Sequence, residues 1–481
     1  MMMRLKNWFI QTVLCLSALG AFSQTELNVW EDKKLTYEEY LALVRQYHPL
    51  AQQADLLSDQ ARARLRTARG FFDPVAYSNV DQKVFDEKDY YRLSESGIKI
   101  PTWFGLEGKV AYEWNDGEFL NSENSVPEDG LTIAGVSWDV GGGIFLDERR
   151  AVLKQAKIFR ESNEARRIEM LNDLILQANQ AYWEWVAAYE NAIVFDTALT
   201  LSVVRFEGVR ESFLQGDKAG IDTLEAFIQV QNRQISQFDA QRKIREKALK
   251  VSNFLWFENS VPLQLEPEVV PQPFNDQMID LAILDTMSQQ ITQLQNTHPI
   301  LRQFQFDVQQ QEVNQRLKSS KLIPTIKLNY NFITAQGPFQ GESLEQTGFS
   351  TQDYKFGVDV KFPLLLREGR GAWQEARIKR ESAELKLDQK TVEVLNKARA
   401  FQNELTYLHE QLIIYRSAIK NYQRMLDAEV TKFFNGESSI FLINSREVKL
   451  VEAKVKLNKT EAAYEKAKAG FYHALGTLSQ Q

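Results

Sequence analysis

The chain has 481 residues, 44% of them hydrophobic and 25% charged, with 57 Lys and Arg against 64 Asp and Glu and a formal net charge of −7. This balance is too apolar for a disordered chain and too charged for a polytopic helical membrane protein, and the negative charge disfavours a nucleic-acid partner. Such a length means either two or three domains or one elongated object that buries its surface as a thin layer.

The first 23 residues stand apart. Arg4 and Lys6 precede an apolar run from Trp8 to Leu19, too short to span a bilayer, and Ala21-Phe22-Ser23 follows. The pattern predicts a signal peptide over 1–23, cleaved before Gln24. The single cysteine, Cys15, follows Leu14, where a lipoprotein cleavage site needs a small residue, so no lipid anchor is expected. Loss of Arg4 and Lys6 moves the charge from −7 to −9 and leaves no thiol, which excludes disulfides, thiol nucleophiles and Cys-ligated metals. No later stretch is long and apolar enough for a transmembrane helix, so any passage through a membrane must use a β-barrel.

Internal repetition is the strongest signal. His48-Pro49 recurs as His298-Pro299 and Pro74 as Pro324, both at an offset of 250; Arg150 recurs as Arg370 and Gly216 as Gly436, both at 220. The change of offset places about thirty additional residues between Pro74 and Arg150 of the first copy. The mature chain therefore divides into a first repeat, 24–258, and a second, 275–481. Between them, 259–274 carries Pro262, Pro267, Pro271 and Pro273 and reads as an extended linker.

Each copy begins with a helical run broken at its His-Pro dipeptide, which predicts a short helix followed by a longer one. A β section comes next, within 74–140 of the first copy and at 325–334 and 353–362 of the second. Ile326, Leu328, Tyr330 and Phe332 alternate with Lys327, Asn329 and Asn331; Tyr354, Phe356, Val358, Val360 and Phe362 alternate with Lys355, Gly357, Asp359 and Lys361. One apolar and one polar face over about ten residues is the pattern of a membrane strand with lipid outside and water inside. The loops 115–130 and 335–353 contain acids and no Lys or Arg. Leu106, Val110, Tyr112 and Trp114 also alternate with charged residues, after a tight turn at Pro101-Thr102-Trp103-Phe104-Gly105. Whether that hairpin, 91–114, adds membrane strands is open from the pattern.

Two proline-free stretches follow the β sections, 150–215 and 370–435, each long enough for a rod of about 100 Å. In the second, Ala398, Phe401, Leu405, Leu408, Leu412, Tyr415, Ile419, Tyr422 and Leu426 recur at alternating steps of three and four, the 3.5-residue period of a left-handed coiled coil. The same seam in the first copy has smaller residues, Ala178, Ala181, Trp185 and Ala188 among them. After Gly216 or Gly436 the chain returns in a second helix, at 221–257 or 440–476. A protomer of this shape leaves sheet edges and seams unburied, and a symmetric ring is the economical way to close them.

On these residues the sequence resembles the TolC family of outer-membrane efflux proteins over essentially the whole mature chain. The resemblance rests on the twofold repeat, the His-Pro helices leading into the Pro74 and Pro324 strands, the passages FLDERRA and REGRGA, and the turn from Gly216 through Asp222 to Ala226. It implies a helix-dominated fold with membrane β-barrel strands: a trimeric channel-tunnel of the Gram-negative outer membrane extending into the periplasm. The function implied is the exit duct of a tripartite efflux or type I secretion system. The implied partners are two further copies, a periplasmic adaptor (membrane fusion) protein, an inner-membrane transporter and outer-membrane lipid. By the same resemblance Gly216, Asp217, Gly220, Asp222, Gly436, Glu437 and Ser438 form adaptor-docking tips, and Asp427, with Glu429, lines an entrance constriction. The second turn has Leu442 where the first has Asp222, so the two tips are not equivalent. The additional first β section also departs from the family's usual four strands per protomer.

An enzyme is the poorer reading. His48 and His298 sit in helix-breaking dipeptides and His409 and His473 are isolated, so metal-ligand spacing is absent and neither catalytic residues nor a cofactor are expected. Gly105-Leu106-Glu107-Gly108-Lys109 has the wrong spacing for a P-loop, and Gly141-Gly142-Gly143 reads as a barrel-to-helix joint. The alternative from another class is a periplasmic coiled-coil adaptor or scaffold without channel activity.

Overall fold

A computed structural model describes residues 33–140, 146–274, 281–335 and 350–480. The expected signal peptide, the Gly141-Gly142-Gly143 joint and most of the loop 335–353 lie outside the described residues.

Strand β1 (Lys34–Leu35) leads into helix α1 (Tyr37–Tyr47). Thr36 caps α1 reciprocally: its Oγ1 accepts from Glu39 N, and the Glu39 carboxylate accepts from Thr36 N at 3.0 Å. Helix α2 (Pro49–Gly70) starts at once, with His48 as its N-cap. The imidazole Nδ1 accepts the Leu50 N–H at 3.1 Å, and Pro49 occupies the first helical position, where no N–H is needed. The His-Pro dipeptide is therefore a helix start as much as a helix break.

Strands β2 (Val75–Phe85), β3 (Lys88–Pro101), β4 (Leu106–Asp116) and β5 (Leu131–Asp139) follow. Helices α3 (Glu148–Leu214) and α4 (Gly220–Ser252) complete the first copy. Asp147 caps α3 by accepting from Arg150 N at 2.7 Å. Short strands β6 (Trp256–Phe257), β7 (Val261–Pro262) and β8 (Val270–Pro271) lie in the connection. The second copy comprises α5 (Leu281–Thr297), α6 (Pro299–Ser319), β9 (Thr325–Thr334), β10 (Tyr354–Lys361), α7 (Arg367–Phe434) and α8 (Ile440–Leu475).

Two boundaries differ from the sequence reading. Helix α4 stops at Ser252 rather than 257, because Leu255 turns inward to full burial and Trp256 pairs with Pro262 in the β6–β7 hairpin. The proline-rich segment is extended but docked: Leu265 and Val269 are buried, β8 pairs parallel with β1, and Phe274 stacks on Trp183 at 5.6 Å.

The strands from both copies form one antiparallel six-stranded sheet in the order β10-β9-β5-β4-β3-β2, so the β3–β4 hairpin is an integral part of it. Tyr354, Phe356, Val358 and Val360 lie opposite Phe332, Tyr330, Leu328 and Ile326. The apolar face continues through Ala134, Val136 and Trp138 of β5 to Val110 of β4 and Ile98 of β3. Val110, Val136, Phe356 and Val358 are exposed on it. Aromatic and aliphatic residues crowd both ends of the strands. Trp103, 72% exposed, packs edge-on against Phe104 in the β3–β4 turn, and Tyr90 packs on Phe119 at the opposite end.

The opposite, concave face is charged in both signs. Lys83, Lys99, Lys109, Lys327, Lys355 and Lys361 share it with Asp81, Glu95, Glu107, Glu113, Asp139 and Asp359. Glu95 pairs with Lys109 at 2.8 Å, and Glu107 reaches Arg149 at the start of α3 at 3.4 Å. Curvature is tight at Gly97, where a Cβ would collide with Ala111 and the Val110 carbonyl.

Helices α3 and α7, 67 and 68 residues long, are rods of about 100 Å. No helix among the described residues is long and apolar enough to cross a membrane. Helix α3 packs against α2, α4, α6 and α8, and α7 against α6 and α8. Along α7 the seam residues Ala398, Leu405, Leu412 and Leu426 are buried, and Ala178, Ala181, Trp185 and Ala188 are buried on α3. The twofold repeat reaches the core. Leu41, Val44 and Ala51 recur at an offset of 250 as Ile291, Leu294 and Leu301, and Ala178, Trp185, Val251 and Leu255 recur at 220 as Ala398, Leu405, Phe471 and Leu475.

His298 caps α6 as His48 caps α2, with Nδ1 accepting from Ile300 N at 3.2 Å. Burial, reinforced by the neighbouring His473 and Lys397, pushes its pKa down to about 4. His298→Ala should lower stability by about 1 kcal/mol and His298→Asn by less, since Asn can accept the same bond. The stability due to the neutral imidazole is complete above the ordinary histidine value of 6.5 and is lost as pH falls from there toward about 4. Thermal melts of the detergent-solubilised variants against pH check both statements, with His298→Asn flattening that limb of the profile.

Candidate functional site at the helical tips

The two long hairpins turn by the same local chemistry. Gly216 has φ 87° and Gly436 has φ 79°, a left-handed conformation that glycine adopts without a Cβ penalty. Gly216 N donates to Phe213 O and Asp217 N to Ser212 O; Gly436 N donates to Phe433 O and Glu437 N to Lys432 O, all at 2.9–3.1 Å. These paired bonds satisfy the last carbonyls of α3 and α7 in the Schellman arrangement. A Cβ on either glycine would meet nothing within 4 Å, so the backbone conformation, and not lack of space, selects glycine.

The return helices begin differently. Helix α4 starts at Gly220 with Asp222 in its first turn, where the partial positive charge of the helix end favours an acid. Helix α8 has no acid in its first turn and carries Leu442 at the matching position. Asp217 and Glu437 are exposed beside their glycines, and Phe213, Leu214, Ile221, Phe434 and Phe441 leave apolar surface around both turns. The tips touch one another: Val209, Ala226 and Ile440 are buried together with Phe206 and Phe433, and the Lys218 ammonium sits 4.5 Å from the Phe433 ring centre.

Asp427 and Glu429, expected together at a constriction, are not brought together. Two residues apart on a helix, they point to different sides. Asp427 is exposed and accepts from Gln423 Nε2 at 2.9 Å. Glu429 turns to its own hairpin, accepting from Ser438 Oγ at 2.6 Å and pairing with Arg446 at 3.5 Å. The Ser438 hydrogen bond, helped by Arg446, holds its carboxyl below the usual range.

A buried ion network lies a few turns from the tips. Glu447 of α8, 3% exposed, pairs with Arg205 of α3 at 2.5 Å and with Arg233 of α4 at 3.9 Å, while Arg205 also donates to Asn444 Oδ1 at 3.1 Å. Three helices from both copies are thereby tied at one carboxylate. A buried charge of this kind persists only when paired, so the network fixes how the hairpins lie side by side. No sequence signal marks it, since Arg205 and Glu447 are 242 residues apart.

His473, isolated in sequence, also gains partners in space. Its Nε2 lies 2.7 Å from Asp173 Oδ1 and its Nδ1 3.3 Å from Lys397 Nζ, with Glu169 close enough to complete a three-ligand cluster. Lys397 can only donate, so Nδ1 accepts and Nε2–H donates to Asp173. The imidazole is therefore used as a bridge between a cation and an anion, and a metal at Nε2 would have to displace that proton.

Glu447→Ala leaves the half-buried Arg205 and the buried Arg233 without their counter-ion and should cost about 3 kcal/mol. Hydrogen exchange should rise around residues 205–233 and 440–450, whereas Asp427→Ala should leave both regions protected.

The family model for outer membrane efflux proteins matches residues 290–477. No curated protein sequence matches the chain significantly. Among solved structures, the fold is similar to the CmeC outer membrane channel of Campylobacter jejuni, with 12% identity, a TM-score of 0.60, and coverage of 91% of this chain and 85% of that one. The outer membrane protein VceC of Vibrio cholerae gives 13% identity and a TM-score of 0.62, covering 91% and 95%. The MtrE outer membrane channel of Neisseria gonorrhoeae gives 13% and 0.61, covering 91% and 88%. At such identities these likenesses show the fold. The second repeat thus matches the model of the outer membrane efflux protein family, and nearly the whole chain shares the TolC-type fold of these outer membrane channels.

Proposed function

We propose that the chain acts as a passive exit duct: three copies join into one hollow cylinder, with the sheets in the outer membrane and the long helices crossing the periplasm. The observation that carries this reading is the curved sheet. Its convex face is apolar and exposed, its concave face is charged, its two edges are open, and it runs directly into rods of about 100 Å. In this reading residues 1–23 direct export, and residues 24–258 and 275–481 are two tandem repeats joined through 259–274.

The tips around Gly216, Asp217, Gly220 and Asp222, and around Gly436, Glu437 and Ser438, dock a periplasmic adaptor that links the duct to an inner-membrane transporter. Their exposed apolar and acidic residues support this role. Asp427, exposed and lacking a basic partner among the ion pairs of the tip, supplies the acidic ring at the entrance, while Glu429 holds the tip turn through Ser438 and Arg446. Three carboxylates in a ring favour cations and resist anions. The transporter supplies the energy and chooses the cargo.

Extraction from outer membranes should require detergent and yield a trimer by native mass spectrometry that conducts in planar bilayers; a water-soluble monomer without conductance would eliminate the duct. Asp427→Asn should shift the reversal potential in a salt gradient toward non-selectivity, and Glu429→Gln should leave it in place. Identical reversal potentials for wild type and Asp427→Asn would remove Asp427 from the ring.

A further inference from the structure

Strands β2 and β10 form the edges of the sheet, and among the described residues neither outer edge has a strand partner. Because the sheet is an antiparallel meander of six strands, its edges run in opposite directions. Strand β10 of one copy can therefore lie antiparallel beside β2 of the next.

The sheet is already sheared like a sector of a barrel. One row of the register runs through Lys355, Asn331, Gly135, Lys109, Lys99 and Val75 across all six strands. Val75 is the first residue of β2, whereas Lys355 lies six residues before Lys361, the last of β10. Six residues of about 3.3 Å against five strand spacings of about 4.8 Å give a tilt of about 40°. Closed barrels need about 35–45°. One more strand at the same rate brings the stagger to about seven residues, and the two registers of matching parity beside that value set Lys355 opposite Asp81 or Lys83 of the next copy; the first sets Val75 opposite Lys361 and Gln82 opposite Tyr354.

Side-chain chemistry selects the first of these. It places Asp81 against Lys355 on the concave face, and Val80 beside Phe356 and Ala76 beside Val360 on the apolar face. A slip of two residues one way opposes Lys83 to Lys355, and the other way gives Lys355 only Asn79. A slip of one residue would turn the apolar face inward. The eight residues of β10 also fit the regular part of β2, whose register breaks between Lys83 and Val84, just past Gln82.

We infer that β2 of each copy pairs with β10 of its neighbour in the register Val75–Lys361 to Gln82–Tyr354, closing an eighteen-stranded barrel with six strands from each of three copies. The count of three rests on the duct reading above. A barrel of this size leaves an aqueous bore, and the β3–β4 hairpin supplies a third of its wall.

The test uses the full chain carrying Cys15→Ser, oxidised in outer membranes. Asn79→Cys with Gly357→Cys, which face each other in this register, should give a covalent trimer on a non-reducing gel. Asn79→Cys with Lys355→Cys or Asp359→Cys should cross-link roughly tenfold less, because a two-residue offset exceeds the reach of a disulfide. Independently, Asp81→Lys should lower the temperature at which the detergent-resistant oligomer dissociates, and adding Lys355→Asp should restore it. Conducting trimers that fail to link through 79 and 357, or that link better through 355 or 359, overturn this closure while the duct stands. A non-conducting monomer overturns both.

Discussion

The constraint behind this architecture is that a backbone polar group in hydrocarbon has no water to bond. A helix meets it within one segment, and a sheet meets it only where every strand has two neighbours. No helix among the described residues is long and apolar enough to cross a membrane, and the six strands form an open arc with two exposed edges. In the proposed duct neighbouring copies close these edges, and the rotational symmetry of the ring makes each pair of long hairpins a section of its wall.

The helical part obeys a different rule. Rods of about 100 Å cannot share a compact core, so they are held by a narrow seam repeated along their length. On α3 the seam is built from Ala178, Ala181 and Ala188, small enough for α2, α4, α6 and α8 to crowd around one helix, with Trp183 and Trp185 filling the wider gaps. On α7 the same positions hold Ala398, Phe401 and Leu408, with Leu405 in the place of Trp185. Near the tips, where apolar burial thins to small clusters, Glu447 with Arg205 and Arg233 adds a polar tie. Such a tie contributes little net stability, but it penalises any arrangement that separates its members.

Much of this was legible in the sequence because membrane strands and coiled-coil seams are periodic. The alternation in β9 and β10 is uninterrupted, and the heptads of α7 need no structure to be seen. The β2–β3 hairpin is harder to read, since Ser78, Ser94, Ser96 and Arg92 interrupt its apolar face. Ser78 and Ser96 answer each other across the strands at 2.8 Å, a pairing that only the register reveals. Gly216 and Gly436 announced their turns, because left-handed backbone has few tenants. The imidazole caps of His48 and His298 were masked by the prolines beside them, which explained the helix break without any role for the histidine. The pairing of Glu447 with Arg205, and of His473 with Asp173, depends on which rods lie side by side, and a heptad pattern does not carry that information.

The charged inner face of the sheet has a consequence of its own. Its lysines and acids are equal in number and interleaved, with Glu95 against Lys109 and Glu107 against Arg149. Over distances longer than a Debye length such an arrangement has almost no net field. In the proposed duct solutes of either sign would therefore meet a neutral, hydrated corridor along this face, and any sorting by charge would have to take place before they arrive there.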